Sequence, residues 1–438
     1  MVRRLFTVLA LICSATFATA QNYDESKIPP YELQDPLVFA DGHKVRSKKQ
    51  WKERRLEILD IFQSEMYGRM PAAPETLELE TIEEGTTIGG YATRKQVRMY
   101  FSKDKSGPNI DWLIVTPNHI KTPAPVVILL NYYGNHTVLN DEAIIVTDGW
   151  MRNDKDFNVE NNSASAESRG KMINPDLRSI IPVDMLVAKG YAVVTACYAD
   201  ISPDPDSWVK TDDGKLLQDE LAYSEIFDLW GERDNSRSDN TTALTAWGWA
   251  LMRGMDLICE DPALDENKVI LTGSSRLGKA ALIAAAFDER FPLLAVNQTG
   301  GGGVPLAKHY YGENVQTMTT AFTHWYCKAF AKYANKELEM PFDQHMFLSC
   351  IAPRALMVQG FNNGWFDTKG EYLALKAASP VWKFLGAEGM PDVDYPEIYD
   401  KSAVGNTVAY YRRDNDHGIS AIDWVWMLEF AEKYFNKK

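Results

Sequence analysis

The strand-like run Val269-Ile270-Leu271-Thr272 leads into Gly273-Ser274-Ser275-Arg276-Leu277-Gly278-Lys279. The apolar helical pattern Ala280-Ala281-Leu282-Ile283 follows. Strand, sharp turn and helix with a Ser at the turn is the layout of a nucleophile elbow. The tight turn lifts the hydroxyl above the sheet edge, and small neighbours let the backbone pass closely. The helix N-terminus adds a positive end where negative charge develops during acyl transfer. The pattern departs from G-x-S-x-G, because Leu277 holds the second Gly position and Gly278 comes one residue later. Ser275, with Gly273 two residues before it, is the candidate nucleophile. A capping Ser in a Gly-rich turn, or a phosphate cradle, would use a similar segment. The Walker spacing is not met.

A hydroxyl nucleophile needs a base, and the base needs a group to orient it. His417 lies in Arg413-Asp414-Asn415-Asp416-His417-Gly418, after a strand-like run and before the last helical pattern. The other histidines in play (His43, His119, His309, His324 and His345) precede that slot. Ser, acid, His is the chain order of α/β-hydrolases. The acid should follow the strand Ala355-Leu356-Met357-Val358-Gln359. The loop Gly360-Phe361-Asn362-Asn363-Gly364-Trp365-Phe366-Asp367 ends on Asp367, the expected triad acid. The same Asp would also serve as a helix N-cap. Asp343, Asp414 and Asp416 are secondary candidates.

The elements around these residues alternate. Short apolar runs at 126–131, 191–197, 268–272, 293–297, 355–359 and 407–412 read as strands buried on both faces. Helical patterns cover 243–260, 277–287, 371–378 and 421–435. Alternation of this kind predicts an α/β fold of the α/β-hydrolase type: a mostly parallel sheet between helices, a three-layer sandwich. Residues 21–120 read as a polar, Pro-containing N-terminal extension of one catalytic domain spanning 21–438. The stretch 145–180, rich in Asn, Ser and Asp, reads as a surface insertion.

The chain has 438 residues, 45% hydrophobic and 24% charged, which is the range of a globular protein. A net charge of −14 argues against nucleic acid as a partner, since neutralising phosphates needs a basic face. Residues 1–20 carry Arg3 and Arg4, an apolar run from Leu5 to Phe17 and the small-residue ending Ala18-Thr19-Ala20. This predicts a signal peptide and export to the periplasm or beyond. The run is shorter than the roughly 20 apolar residues a membrane span requires. Cys197, Cys259, Cys327 and Cys350 remain after cleavage. Export permits disulfides, but apolar contexts such as Ala196-Cys197-Tyr198 suit buried free thiols equally well. No CxxC or HExxH spacing occurs, so no metal or other cofactor is expected.

The elbow resembles the G-x-S-R-x-G-K segment of glucuronoyl esterases, carbohydrate esterase family 15. The resemblance extends from about Val126 to the C-terminus. It takes in Ala246-Trp247-Gly248-Trp249, Gln298-Thr299-Gly300-Gly301-Gly302-Gly303, Tyr311-Gly312-Glu313-Asn314-Val315, His324-Trp325, Ile351-Ala352-Pro353-Arg354 and Trp365-Phe366-Asp367-Thr368-Lys369-Gly370-Glu371. It implies Ser275 as nucleophile, His417 as base and Arg276 as a holder of the oxyanion. It further implies Lys279 and Glu313 as ligands of the glucuronate hydroxyls, and Trp365 as the cover over the sugar's apolar face. The implied reaction is hydrolysis of the ester between (4-O-methyl-)glucuronic acid of glucuronoxylan and an alcohol, as in lignin–carbohydrate links, by a secreted monomer. Another carbohydrate esterase, such as an acetyl xylan esterase, and a non-catalytic carbohydrate-binding relative are the competing readings. Two departures stand out. Many members place an acid just before the Gly-rich loop, where this chain has Gln298, so the resemblance passes that role to Asp367. Ser274 replaces a Cys of fungal members, which removes the disulfide from elbow to His loop.

Overall fold

The computed structural model describes residues 21–177, 180–207, 209–211, 213–414 and 417–437. The expected signal peptide and the candidate Asp416 lie outside the described residues. Among these, nine strands form one sheet: β1 (Glu78–Thr87), β2 (Ala92–Tyr100), β3 (Asn109–Pro117), β4 (Ala124–Asn131), β5 (Ala192–Cys197), β6 (Leu264–Ser274), β7 (Leu293–Asn297), β8 (Ala355–Phe361) and β9 (Val408–Arg413). Their order is β1-β2-β3-β5-β4-β6-β7-β8-β9. The first three strands join antiparallel, and β3 is antiparallel to β5. From β5 to β9 every pairing is parallel.

The parallel strands are the apolar runs anticipated from sequence. β5, β7 and β8 are buried at every position, as strands covered on both faces must be. The helices are α1 (Lys48–Phe62), α2 (Val183–Ala188), α3 (Leu217–Leu221), α4 (Ala243–Glu260), α5 (Ser275–Phe287), α6 (Val315–Ala321), α7 (Gln344–Ser349), α8 (Thr368–Leu385) and α9 (Ala421–Phe435). Helices α4 and α5 pack against each other and on the sheet at β4, β6 and β7. A Cβ added at Gly248 of α4 would lie 2.9 Å from Ile283 of α5, so glycine permits their close approach. No helix of the described residues is long and apolar enough to cross a membrane.

Two elements differ from expectation. The stretch 21–120 contains the whole antiparallel β1–β3 edge and α1. Its charged residues find partners across the structure: Arg94 pairs with Glu83 and Asp141, and Arg98 with Asp111. The last helix before β9 runs 18 residues through Pro380, well beyond the expected 371–378. All four described cysteines are free thiols, with Cys197, Cys327 and Cys350 buried and Cys259 exposed.

Candidate active site

β6 ends at Ser274 and α5 begins at Ser275, whose φ is +55°. That left-handed conformation is costly for a residue with a side chain and marks the elbow. The glycine spacing has a steric reason. A Cβ at Gly273 would sit 2.3 Å from Leu277 O, and one at Gly278 would sit 2.9 Å from Gly273 O. The second small residue is needed at 278, where the first turn of α5 crosses the end of β6. Tyr132, just after β4, donates to Ser274 O at 2.6 Å and braces the turn. Burial pushes its phenol up to about 12, so it stays neutral. The Ser274 hydroxyl is buried and has no hydrogen-bond partner among the described residues.

Ser275, Arg276 and His417 line one cavity of about 190 Å³, with Tyr132, Arg152 and Asp154 among its other walls. His417 follows β9, and its ring stacks on Phe366 at 4.8 Å between centroids and 21° between planes. Phe361 flanks it at 6.1 Å. Gly418, the next residue, is bound by Gln298: its N–H donates to Gln298 Oε1 at 2.8 Å, and its carbonyl accepts from Gln298 Nε2 at 3.1 Å. Arg413 also donates to the Gly418 carbonyl, and its guanidinium is paired with Asp423 at full burial.

Arg276 is anchored by a residue that sequence reasoning missed. Its Nη1 donates to Asp204, a fully buried carboxylate in the loop after β5. Burial alone would raise the Asp204 carboxyl, but Arg276 and Arg152 outweigh it and hold the group well below the usual carboxylate range. His324 and Trp325 complete the cradle, with Nε2 at 2.7 Å and the indole Nε1 at 2.9 Å from Asp204 Oδ1. The Arg276 guanidinium lies 5.0 Å from the Trp325 ring centroid, and its buried Nε has no partner among the described residues. An anchored cation with a donor to spare, beside Ser275, suits a developing oxyanion. The available signal was Ser202-Pro203-Asp204-Pro205, a lone acid between prolines just past a buried strand.

Lys279 and Glu313 meet at 3.8 Å, both nearly fully buried. Burial lowers the Lys279 amine and raises the Glu313 carboxyl, so each is held less firmly charged than on a surface. They are not among the residues lining the Ser275 cavity. Trp365 is 36% exposed, and its carbonyl accepts from Glu313 N at 3.0 Å, which ties the two expected sugar ligands together.

Asp367 does not meet the triad expectation. Its oxygens lie 2.9 and 2.8 Å from His309 Nδ1, one of them also accepts Gly370 N, and none of its hydrogen bonds among the described residues goes to His417. The reason is its role as N-cap of α8, in a left-handed conformation with φ +47° that turns the carboxylate toward the helix end and His309. Asp343 is likewise committed, capping α7 and accepting Ala307 N and Lys308 N. Glu371, fully buried in α8, is pushed well above the usual carboxylate range by burial and by Asp367. No group of three or more His, Cys, Asp or Glu among the described residues could hold a metal ion.

The chain matches the family model for fungal glucuronyl esterases over residues 157–386. It is 35% identical over 418 residues to a carbohydrate esterase of an unknown prokaryotic organism, covering 94% of this chain and 92% of that one. Among solved structures it superposes on a promiscuous carbohydrate esterase family 15 enzyme from a marine bacterial metagenome. There the TM-score is 0.85 at 34% identity, over 95% of this chain and all of the other. A glucuronoyl esterase of Solibacter usitatus gives 0.82 at 34% identity, over 94% of this chain and all of the other.

Proposed function

The chain belongs to the glucuronoyl esterase family, and from that premise we propose that Ser275 and His417 hydrolyse the ester linking (4-O-methyl-)glucuronic acid of glucuronoxylan to an alcohol. Ser275 Oγ attacks the uronoyl carbonyl carbon while His417 takes its proton. Arg276 holds the oxyanion of the tetrahedral intermediate. Its collapse breaks the ester C–O bond, and the alcohol leaves with the proton from His417. Water activated by His417 then attacks the acyl-enzyme and frees glucuronate and Ser275. Lys279 and Glu313 bind the ring hydroxyls, and Trp365 covers the ring's apolar face. Asp367, engaged by His309, holds the segment that carries Trp365 and stands outside the proton transfers. The scheme calls on no cofactor. The protein works as an exported single-domain monomer whose signal peptide is residues 1–20.

The observation that carries this reading is Ser275, held at φ +55° at the end of β6, opening on the same cavity as His417 and Arg276. The test is turnover of benzyl glucuronate against an acetylated sugar. Ser275→Ala should abolish turnover of the glucuronate ester with folding intact, since loss of the nucleophile in a model hydrolase costs on the order of 10⁶ in kcat. Near-wild-type rates in that variant eliminate Ser275. Preference of the native enzyme for the acetyl ester eliminates the substrate assignment.

A further inference from the structure

We infer that Gln298 is a positioning residue for the catalytic base, acting as a two-point amide clamp on the main chain beside His417. The inference rests on His417 being that base. Gln298 is the first residue after β7, is fully buried, and is held at φ +50° with its own N–H on Gln359 O at 3.0 Å. Among the described residues its side chain bonds Gly418 and satisfies both of that residue's main-chain groups, accepting at 2.8 Å and donating at 3.1 Å. The Gly418 N–H belongs to the same planar peptide as the His417 carbonyl. Fixing that N–H therefore fixes the ψ of His417, from which the imidazole departs. Arg413 holds the Gly418 carbonyl from a second direction, with Asp423 behind it.

The chemistry selects an amide. One arm must accept a hydrogen bond and the other must donate one, and glutamine does both at this reach. An ionised carboxylate of the same shape accepts only. It would keep the bond from Gly418 N–H, lose the bond to the Gly418 carbonyl, and set two oxygens against each other in a buried site. A protonated carboxyl can do both again. The charged or titratable groups that meet this corner are Arg413 of β9, Asp423 of α9, Glu371 of α8 beside Thr299, and His417 itself.

The experiment uses the full enzyme with benzyl glucuronate and a small phenyl ester, each assayed from pH 5 to pH 8. His417→Ala comes first: wild-type rates there would remove the base assignment and with it the clamp. With that variant inactive, Gln298→Ala should lower kcat about 10–100-fold on both esters, the scale of a misplaced catalytic group, with KM changed by less than about threefold. Gln298→Glu should keep most of the wild-type rate at pH 5 and fall toward the Gln298→Ala rate at pH 8, read as a ratio to wild type. This second variant keeps the side chain's shape and removes misfolding as an explanation. Gln298→Ala with kcat within twofold of wild type would overturn the clamp while leaving the base assignment intact. A Gln298→Glu enzyme faster than wild type at pH 8 would also overturn it, since that result makes position 298 an acid acting on the imidazole.

Discussion

Asp204 and Arg276 form a buried ion pair one residue from Ser275, with Arg276 Nη1 donating to Asp204 Oδ2. The same carboxylate accepts from His324 Nε2 and Trp325 Nε1. Such an anchor decides where the guanidinium sits before any oxyanion forms, and preorganised charge is what stabilises the transition state. Asp204→Asn keeps the shape and one acceptor but removes the charge. It should lower kcat about 10²-fold on benzyl glucuronate, comparable to losing an oxyanion donor. If Asp204 acts through Arg276, the double variant Asp204→Asn/Arg276→Ala should be no slower than Arg276→Ala alone. Losses that multiply would show the two residues working separately.

What the sequence revealed follows physical lines. α4 and α9 run over the residues their periodicity indicated, and the parallel strands stood out because burial on both faces leaves uninterrupted apolar runs. The β1–β3 edge was hidden because its charged residues are neutralised by groups distant in the chain, as with Glu83 and Arg94, 11 residues apart, and Arg94 and Asp141. α8 outran its pattern because proline ends a helix as a rule, and nothing local signals the exception at Pro380. The placing of Ser275 at an elbow and of His417 beside the same cavity could be anticipated because an elbow and a loop after the last strand are local features. The partner of Asp367 was not legible. His309 and His417 are both histidines, and only the capping geometry at the start of α8 selects the first. Asp204 has meaning only once Arg276, His324 and Trp325 converge on it.

The buried Lys279–Glu313 pair should discriminate between substrates. At 3.8 Å the two groups lie beyond a tight hydrogen bond, and burial makes each bond that a ring hydroxyl forms to them count. Lys279→Ala and Glu313→Ala should each reduce kcat/KM on glucuronate esters by roughly 1.5–3 kcal/mol, about 10–150-fold. On small phenyl esters, which lack the ring, the reduction should be several-fold at most. Equal losses on both substrates would assign the pair to packing of the Gly-rich loop.

Asp367→Asn separates the two roles open to that residue. Asn is a competent N-cap, so α8 should survive. The bond to His309 weakens, and with it the link between the 310–313 segment and Trp365. The expected outcome is kcat within about tenfold of wild type and a raised KM for glucuronate esters. A triad acid behaves otherwise: in a model protease the same substitution costs about 10⁴ in kcat by favouring the wrong tautomer. A loss of that size would return Asp367 to the base.

A pH dependence of stability follows from Asp200, in the loop after β5. It lines a polar cavity of about 490 Å³ that also holds Asp148, Glu225 and Asp228. Burial, which outweighs the Thr147 hydroxyl bonded to it, pushes its carboxyl up to about 7 from an ordinary 3.8. Between those values the folded protein binds a proton that the unfolded chain has released. Stability from this group is therefore complete below pH ~4 and is lost as pH rises through 7. Asp200→Asn cannot ionise and keeps an acceptor for Thr147. It should be more stable than wild type at pH 8, by roughly 1–2 kcal/mol once screening by cavity solvent is allowed for, with the gain shrinking as pH falls and nearly gone at pH ~4. Thermal unfolding of both proteins at pH 4 and pH 8 reads the difference directly. A Tm gain that does not grow with pH would mean that Asp200 titrates alike in the folded protein and the unfolded chain.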